Sequence, residues 1–340
     1  MLGIVLLAAG HGTRMNSKKQ KILHDVGGKP MVLHMFEAAE AVADLPPVVV
    51  IGPGGDGVRA LLGDRATYVV QDEQLGTGHA TQVTRDLLAG TASQVIVTYG
   101  DMPLLQKETL AQLAAAQQEP EVALSMLSVR GEASSSFGRV VRGENGRVSE
   151  IVEVAEAIQR PISADLLAIT ELNAGVYCFD GDWLWANIND LPLRQARSGV
   201  EYYLTDMVGI AAAQKRQVSA IMAEDADECL GAGTRAELVA VEQAFRQRAN
   251  RRALANGVTL IDPSSTFIDP EVTIGQDTVI WPNSYLQGKT TVGENCTIGP
   301  NAILRDATVG AGCRVEQAVV EGVPLEAGTV VPPFSHLKEE

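Results

Sequence analysis

The chain has 340 residues, 46% of them hydrophobic and 20% charged, a composition that supplies a large core and argues against disorder. Its formal net charge of −15 argues against general binding to DNA or RNA, which depends on neutralising phosphates, and disfavours an anionic membrane surface. No apolar run is long enough to predict a membrane span. The isolated cysteines, Cys178, Cys229, Cys296 and Cys313, predict reduced thiols in the cytoplasm.

Short apolar runs alternate with amphipathic segments over the first two thirds of the chain. These runs predict strands at residues 3–7, 47–51, 67–70, 94–98, 122–129 and 175–179. The amphipathic segments predict helices at residues 30–43, 78–88 and 107–118, with another helix within 199–213. Strands separated by helices indicate βαβ units, and we expect an α/β, Rossmann-like, mostly parallel three-layer domain over residues 1–232.

A long helical pattern follows, in which Leu238, Val241, Phe245 and Ala249 recur at steps of three and four. Gly257 stands just beyond this pattern and predicts the end of the helix. We therefore expect residues 233–256 to form a connecting helix, followed by a separate domain over residues 257–340.

That last domain has a period of six residues, which fits neither an α-helix nor a simple amphipathic strand. An aliphatic side chain occupies each sixth position at Ile268, Ile274, Ile280, Leu286, Val292, Ile298 and Leu304. Small or β-branched residues stand two positions earlier, and glycine follows at Gly275, Gly293 and Gly299. The pattern predicts a hexapeptide-repeat parallel β-helix, with an irregular β-sandwich as the alternative. The exposed terminal rung and flat sides of a β-helix favour association between copies.

The first motif is a glycine loop after the first predicted strand. Ala8 and Ala9 lead into Gly10-His11-Gly12-Thr13-Arg14, and Lys21 follows. Such loops expose backbone N–H groups that bind phosphate oxygens, and the two cations add positive charge. The alternative is a tight turn with surface cations. The spacing matches neither the dinucleotide fingerprint nor the P-loop.

A second loop, residues 71–80, combines two amide side chains with glycines and a helix start. Amides such as Gln71 and Gln74 present a donor and an acceptor, which matches the imide edge of uracil. The alternative is a polar loop in which Thr77 caps the next helix.

A third motif places Asp101 directly after a predicted apolar strand that ends at Tyr99. A carboxylate at that edge of a sheet suits Mg²⁺ bound to a triphosphate, which takes one or two carboxylates and keeps waters. The alternative is a helix N-cap before Pro103.

Taken in order, these motifs resemble the bacterial N-acetylglucosamine-1-phosphate uridylyltransferase family, the bifunctional enzymes that synthesise UDP-N-acetylglucosamine. The matching segments are LAAGxGTRM, KxLH, QxEQLGTGHA, YGDxPLL, GRVVR, IVE, ELNxG and EYYLTD, followed by GVTLIDP at the start of the repeat domain. LAAGxGTRM is shared by many sugar nucleotidyltransferases, whereas EQLGTGHA with EYYLTD is much narrower.

The resemblance implies roles for individual residues. It assigns the nucleotide site to Ala8, Ala9, Gly10, Gly12, Thr13, Gln71, Gln74, Gly76 and Thr77. It assigns the sugar site to Tyr99, Gly138, Glu153, Asn173 and Thr205. It gives catalytic roles to Arg14, Lys21 and Asp101, with Asp101 as the Mg²⁺ ligand. His11 occupies a variable position of the family pattern, so we expect no catalytic role for it.

The implied reaction joins UTP and N-acetylglucosamine-1-phosphate into UDP-N-acetylglucosamine and pyrophosphate. The resemblance also implies a left-handed β-helix and a homotrimer formed through it, with no nucleic-acid or membrane partner. The repeat domain is shorter than in the bifunctional enzymes, so we expect no acetyltransferase activity.

Three positions depart from the family pattern. Gly233 stands where the family has an asparagine that binds metal; water, Asp225 or Asp227 could fill that role. Ala174 replaces a threonine and Gln20 replaces a proline. These departures keep two alternatives open: a nucleotidyltransferase for another sugar-1-phosphate or nucleotide, and a catalytically weak nucleotide- or sugar-binding assembly protein.

Overall fold

The computed structural model describes residues 1–10, 12–133, 137–196 and 199–338. Two compact units make up the chain: Met1–His24 with Pro30–Glu237, and Asp25–Lys29 with Leu238–Glu340. We call them the sheet unit and the repeat unit. Within the described residues, no helix is both long and apolar enough to cross a membrane.

The sheet unit has strands and helices in alternation, as the sequence predicts. Its strands are β1 (Leu2–Ala8), β4 (Val48–Ile51), β5 (Thr67–Val70), β6 (Gln94–Tyr99), β7 (Val122–Arg130), β8 (Arg139–Arg142), β9 (Val148–Val152), β10 (Glu171–Asp180), β11 (Leu193–Ala196), β12 (Gly199–Tyr202) and β13 (Gln217–Met222). The short strands β2 (Asp25–Val26) and β3 (Lys29–Pro30) pair with each other and, apart from Pro30, belong to the repeat unit. The helices of the sheet unit are α1 (Met31–Glu40), α2 (Asp56–Leu62), α3 (Gly76–Gln82), α4 (Arg85–Leu88), α5 (Lys107–Gln117), α6 (Val154–Ala157), α7 (Ser163–Leu167), α8 (Gly181–Asn187) and α9 (Asp206–Ala213).

The main sheet has the strand order β13-β7-β10-β6-β1-β4-β5, with β8 and β9 attached beside β10. Strands β6, β1, β4 and β5 run parallel, whereas β10 is antiparallel to both of its neighbours. The register aligns Ala8 with Ile51 and Leu7 with Tyr99. The loops that follow β1, β5 and β6 therefore emerge at one edge, where ligands of parallel sheets bind.

Both faces of this sheet are covered, because alternate residues of β1 point into separate cores. Ile4 and Leu6 pack with Phe36 of α1 and Leu110 of α5. Val5 packs on the opposite face with residues of α8 and α9. The near-continuous apolar sequence of β1 follows from burial on both sides, and the three-layer α/β prediction is confirmed.

Two predicted helices differ from the structure. The helix predicted at 78–88 is divided into α3 and α4. In the helix predicted within 199–213, the first residues instead form strand β12, which pairs antiparallel with β11 and brings Leu193 opposite Tyr202. The β-branched and aromatic side chains of this stretch favour the strand, and α9 begins only at Asp206.

The repeat unit is a stack of short parallel strands. They are β14 (Thr259–Leu260), β15 (Thr266–Ile268), β16 (Thr273–Ile274), β17 (Val279–Ile280), β18 (Ser284–Gln287), β19 (Thr291–Val292), β20 (Thr297–Ile298), β21 (Ile303–Arg305), β22 (Thr308–Val309), β23 (Arg314–Val315), β24 (Val319–Glu321), β25 (Pro324–Leu325), β26 (Val330–Val331) and β27 (His336–Lys338). They form three parallel sheets, in the orders β14-β17-β20-β23-β26, β15-β18-β21-β24-β27 and β16-β19-β22-β25.

The six-residue period has a direct structural cause. Each rung has three faces, so every third repeat returns to the same sheet: Ile268 pairs with Leu286, which pairs with Leu304. These aliphatic side chains form a single buried core. The predicted hexapeptide stack is therefore present, and the sandwich alternative is wrong.

The long helix is α10 (Arg235–Ala255), close to the predicted connecting segment. Its Ala249 and Ala253 pack into the core of the repeat unit. The backbone N–H of Gly27 donates to Oε2 of Glu242 at 2.8 Å, so the short segment Asp25–Lys29 also belongs to the repeat unit. The contacts thus assign the helix from Leu238 onward to the repeat unit, whereas the sequence suggested a separate connector.

Candidate active site

A pocket of about 500 Å³ lies where β1 and β6 end, a size typical of small-molecule sites. Most residues predicted for the nucleotide and the chemistry line it: Ala8, Ala9, Gly10, Arg14, Lys21, Gln71, Gln74, Gly76, Thr77 and Asp101. They come from three loops that are distant in sequence. The parallel order of β5, β4, β1 and β6 brings these loops together.

The glycine loop turns sharply after β1. Gly12 has a φ of 61°, and its carbonyl accepts a hydrogen bond from Met15 at the end of a 3₁₀ turn. Met15 is buried and anchors this turn, while Arg14 extends to the pocket. Gly12 and Thr13 are not among the described lining residues, and His11 lies outside the described residues.

Lys21 and Asp101 form an ion pair inside the pocket. Nζ of Lys21 donates to Oδ2 of Asp101 at 2.5 Å, and the two side chains are 19% and 18% exposed. Lys21 begins a 3₁₀ turn fixed by buried Ile22, and Asp101 follows β6. A basic and an acidic group are therefore held together at the ligand-binding edge.

The carboxylate of Asp101 fits a magnesium ion that is bound chiefly by the phosphates of a nucleotide. Among the described residues, no group of three or more His, Cys, Asp or Glu side chains could hold a metal by itself. Mg²⁺ bound to phosphates needs only one or two carboxylates and keeps its waters. The partly buried carboxylate of Asp101 meets that requirement.

The second loop is tied to its neighbours by amide and hydroxyl groups. Nε2 of Gln71 donates to the carbonyl of Gly76 at 3.1 Å, and Nε2 of Gln74 donates to the carbonyl of Ala9. Oγ1 of Thr77 accepts from the N–H of Leu204 at 3.0 Å. Gly76 has a φ of 92°, and a Cβ there would lie 2.7 Å from the carbonyl oxygen of Tyr202. The loop therefore connects the glycine loop with the segment after β12.

Of the predicted sugar-binding residues, Tyr99 lines the pocket, whereas Gly138, Glu153, Asn173 and Thr205 are not among its described lining residues. Phe137 and Ala174 line it instead, each beside a predicted residue.

Two of the predicted residues, Gly138 and Asn173, nevertheless contact each other. The N–H of Asn173 donates to the carbonyl of Gly138 at 2.9 Å, and its Oδ1 accepts from the hydroxyl of Tyr177 at 2.9 Å. Burial raises the pKa of the Glu153 carboxyl, and the charges of Glu156 and Asp206 raise it further. Burial likewise raises the pKa of Tyr99, so its hydroxyl stays protonated.

The pocket is also lined by residues that the motifs did not identify as ligands. These are Glu201, Cys229, Gly231, Gly233 and Glu237. Burial raises the pKa of the Cys229 thiol to about 12, which makes it a poor nucleophile.

The two acids suggested as substitutes at position 233 are placed elsewhere. Asp225 and Asp227 are not among the described lining residues, and Oδ1 of Asp225 accepts from the N–H of Asp227. Glu237 lines the pocket instead. It follows Gly233 by four residues, and this short spacing is the feature of the sequence that could have identified it.

Comparison with known proteins agrees with this architecture. Residues 4–253 match the family described as the MobA-like NTP transferase domain, and residues 271–306 match the bacterial transferase hexapeptide family with six repeats. The chain is 40% identical over 336 residues to the bifunctional protein GlmU of Exiguobacterium sp., covering 99% of this chain and 73% of that protein. It is 38% identical to the bifunctional protein GlmU of Bacillus subtilis, covering 99% of this chain and 72% of the relative. The bifunctional protein GlmU of Halalkalibacterium halodurans is also 38% identical, with 98% and 72% covered.

The sheet unit has a pocket beside a charged glycine loop, and the repeat unit is a hexapeptide stack. Together with this degree of identity, these features lead to one assignment: the chain is a nucleotidyltransferase that belongs to the GlmU family.

Proposed function

We propose that the pocket of the sheet unit transfers a uridylyl group from UTP to N-acetylglucosamine-1-phosphate, releasing pyrophosphate. The observation that carries the proposal is the meeting of three loops in one pocket. One supplies backbone N–H groups with Arg14 and Lys21, the second supplies Gln71 and Gly76, and the third supplies Asp101.

The chemistry requires positioning and charge stabilisation more than proton transfer. A phosphate oxygen of the sugar phosphate attacks the α-phosphorus of UTP. The bond from that phosphorus to the bridging oxygen breaks, and pyrophosphate leaves. Because the nucleophile is already an anion, no general base is needed.

The cations have distinct places in this scheme. Lys21 would bind the phosphate of the sugar phosphate, and Arg14 would bind the triphosphate and the departing pyrophosphate through its planar guanidinium. Asp101 would hold Mg²⁺, which when bound neutralises charge on the phosphate oxygens. Binding of both ligands would then replace the Lys21–Asp101 ion pair with contacts to phosphate and metal.

The residues predicted to bind the sugar support N-acetylglucosamine less directly. Tyr99 lines the pocket, whereas Gly138, Glu153 and Asn173 lie on neighbouring strands or next to their ends. Ala174 in the wall, where the resemblance implies a threonine, favours a second candidate in which another sugar-1-phosphate is accepted.

We propose further that the enzyme works in the cytoplasm and forms a homotrimer through the repeat unit. The 340-residue polypeptide is expected to give no acetyl transfer to glucosamine-1-phosphate. Light scattering after size-exclusion chromatography tests the homotrimer. A thiol-release assay with acetyl-CoA tests the absence of acetyl transfer.

The deciding experiment measures pyrophosphate release from UTP and N-acetylglucosamine-1-phosphate while Mg²⁺ is titrated. Glucose-1-phosphate and dTTP serve as the alternative substrates. Turnover restricted to the first pair, and abolished by EDTA, supports the proposal. Preference for an alternative substrate supports the second candidate, and binding without turnover contradicts both.

A further inference from the structure

Gly233 leaves space beside a charged side chain, and its backbone conformation does not require glycine. It is buried, and its φ lies outside the left-handed range that favours glycine. A Cβ built on it would lie 2.5 Å from Nη2 of Arg14 and 3.1 Å from Oε2 of Glu237. A distance of 2.5 Å is too short for a real carbon, so a side chain at position 233 would require the guanidinium to move away, which the exposed and flexible Arg14 side chain can do.

The guanidinium of Arg14 is otherwise weakly constrained. The side chain is exposed, and among the described residues none forms a hydrogen bond or an ion pair with it. Its neighbours Gly10 and Gly12 carry no side chains to support it. The guanidinium can occupy this position because Gly233 leaves the space free.

Glu237 closes the other side of this space. Its Oε2 accepts a hydrogen bond from the N–H of Gly233 at 2.7 Å, and its own N–H donates to Oγ1 of Thr234 at the start of α10. The carboxylate is thus fixed by the backbone that it faces, and it places a negative charge beside the guanidinium.

We propose that Gly233 is a positioning residue: its missing side chain leaves a space, which we call the seat, that the guanidinium of Arg14 occupies where the pyrophosphate part of the nucleotide binds. This inference rests on the proposed function, since it takes UTP and pyrophosphate as the ligands of Arg14. It also assigns position 233 to the cation and not to a metal ligand.

The first test measures pyrophosphate binding to the full chain by isothermal titration calorimetry at fixed Mg²⁺. Gly233→Ala, Arg14→Ala and the double variant form a double-mutant cycle. Gly233→Ala is expected to weaken binding about tenfold, the range of a charge-assisted hydrogen bond, and to have almost no effect once Arg14 is alanine. Gly209→Ala is the matched control, because a methyl group there meets no atom within 4 Å.

An equal loss in both backgrounds would assign the effect to local packing and overturn the proposal, as would unchanged binding by Gly233→Ala. If Gly233→Ala fails to fold, recovery of folding in the Arg14→Ala background supports the seat, and failure to recover overturns it. A parent chain that binds neither UTP nor pyrophosphate would instead contradict the proposed function.

The second test separates a cation seat from a metal site. Binding of Mn²⁺ is followed by electron paramagnetic resonance in the parent chain and in Gly233→Asn. The seat predicts weaker pyrophosphate binding with unchanged Mn²⁺ affinity, because the asparagine displaces Arg14. Tighter Mn²⁺ binding with undiminished pyrophosphate affinity would make position 233 a metal-ligand position and overturn the proposal.

Discussion

Nζ of Lys21 lies 2.5 Å from Oδ2 of Asp101, although 79 residues separate them in the chain. The two groups that we assign to the sugar phosphate and to Mg²⁺ therefore neutralise each other before ligands bind. Each is mostly buried, so removal of either leaves its partner with an uncompensated charge in a partly desolvated pocket. The consequences for activity should differ, because the two residues bind different ligands.

Replacement of Asp101 by alanine should remove most turnover. We expect kcat/KM to fall at least about 100-fold, the scale of a lost electrostatic contact to the transition state. The chain should still fold, which circular dichroism would show, although the unpaired ammonium group of Lys21 should lower the melting temperature. Asp86→Ala removes an exposed carboxylate of α4 and is the control. Unchanged rates in Asp101→Ala would exclude its metal role.

Replacement of Lys21 by alanine should chiefly raise the KM for the sugar phosphate. The reason is that its ammonium group provides a point charge for that phosphate. Steady-state kinetics with each substrate varied in turn would separate the two KM values. Lys18→Ala, an exposed lysine close by in the same loop, should behave as the parent chain does. A defect confined to UTP would contradict the assignment.

Thr77→Val should loosen the connection between the second loop and the segment after β12. It removes the hydroxyl oxygen that accepts the N–H of Leu204, leaving a partly buried donor unsatisfied. We expect the free energy of unfolding to fall by about 1–3 kcal/mol, measured by urea titration. Thr77→Ser keeps the hydroxyl group and should retain most of this stability; equal losses in both variants would show that the methyl group matters instead.

Leu286→Ala should destabilise the repeat unit. Leu286 is fully buried between Ile268 and Leu304 on adjacent rungs. Loss of its side chain should cost about 2–5 kcal/mol in unfolding free energy. The neighbouring Gln287→Ala changes a side chain on the opposite face of the strand and should cost far less. Similar losses in the two variants would contradict the register of the stack.

Much of the fold was predictable from periodicity. The apolar runs at β1, β4 and β6 are buried on both faces, which makes them continuous in sequence. The six-residue repeat needs no tertiary information, because each face of a rung needs one inward aliphatic side chain. Strand β12 was missed because its pairing with β11 decides its conformation, and a window of sequence does not show that partner.

The site was predictable only in part. Motifs identified the residues of the three loops, since glycines, amides and charges stand at recognisable spacings. They did not identify Phe137 or Glu237, which reach the pocket from separate elements. Asp225 and Asp227 precede Gly233 by eight and six residues and are not among the described lining residues, whereas Glu237, four residues after Gly233 at the start of α10, lines the pocket.

The sequence by itself determined the alternation of strands and helices, the hexapeptide rungs and the identity of the charged loop residues. These features depend on local periodicity and residue type, which the amino-acid sequence shows directly. The tertiary structure alone decided that Lys21 pairs with Asp101, that Thr77 contacts Leu204, and that Arg14 occupies the space above Gly233. These relationships depend on the order and register of strands distant in sequence, which place the ends of β1, β5 and β6 at one edge.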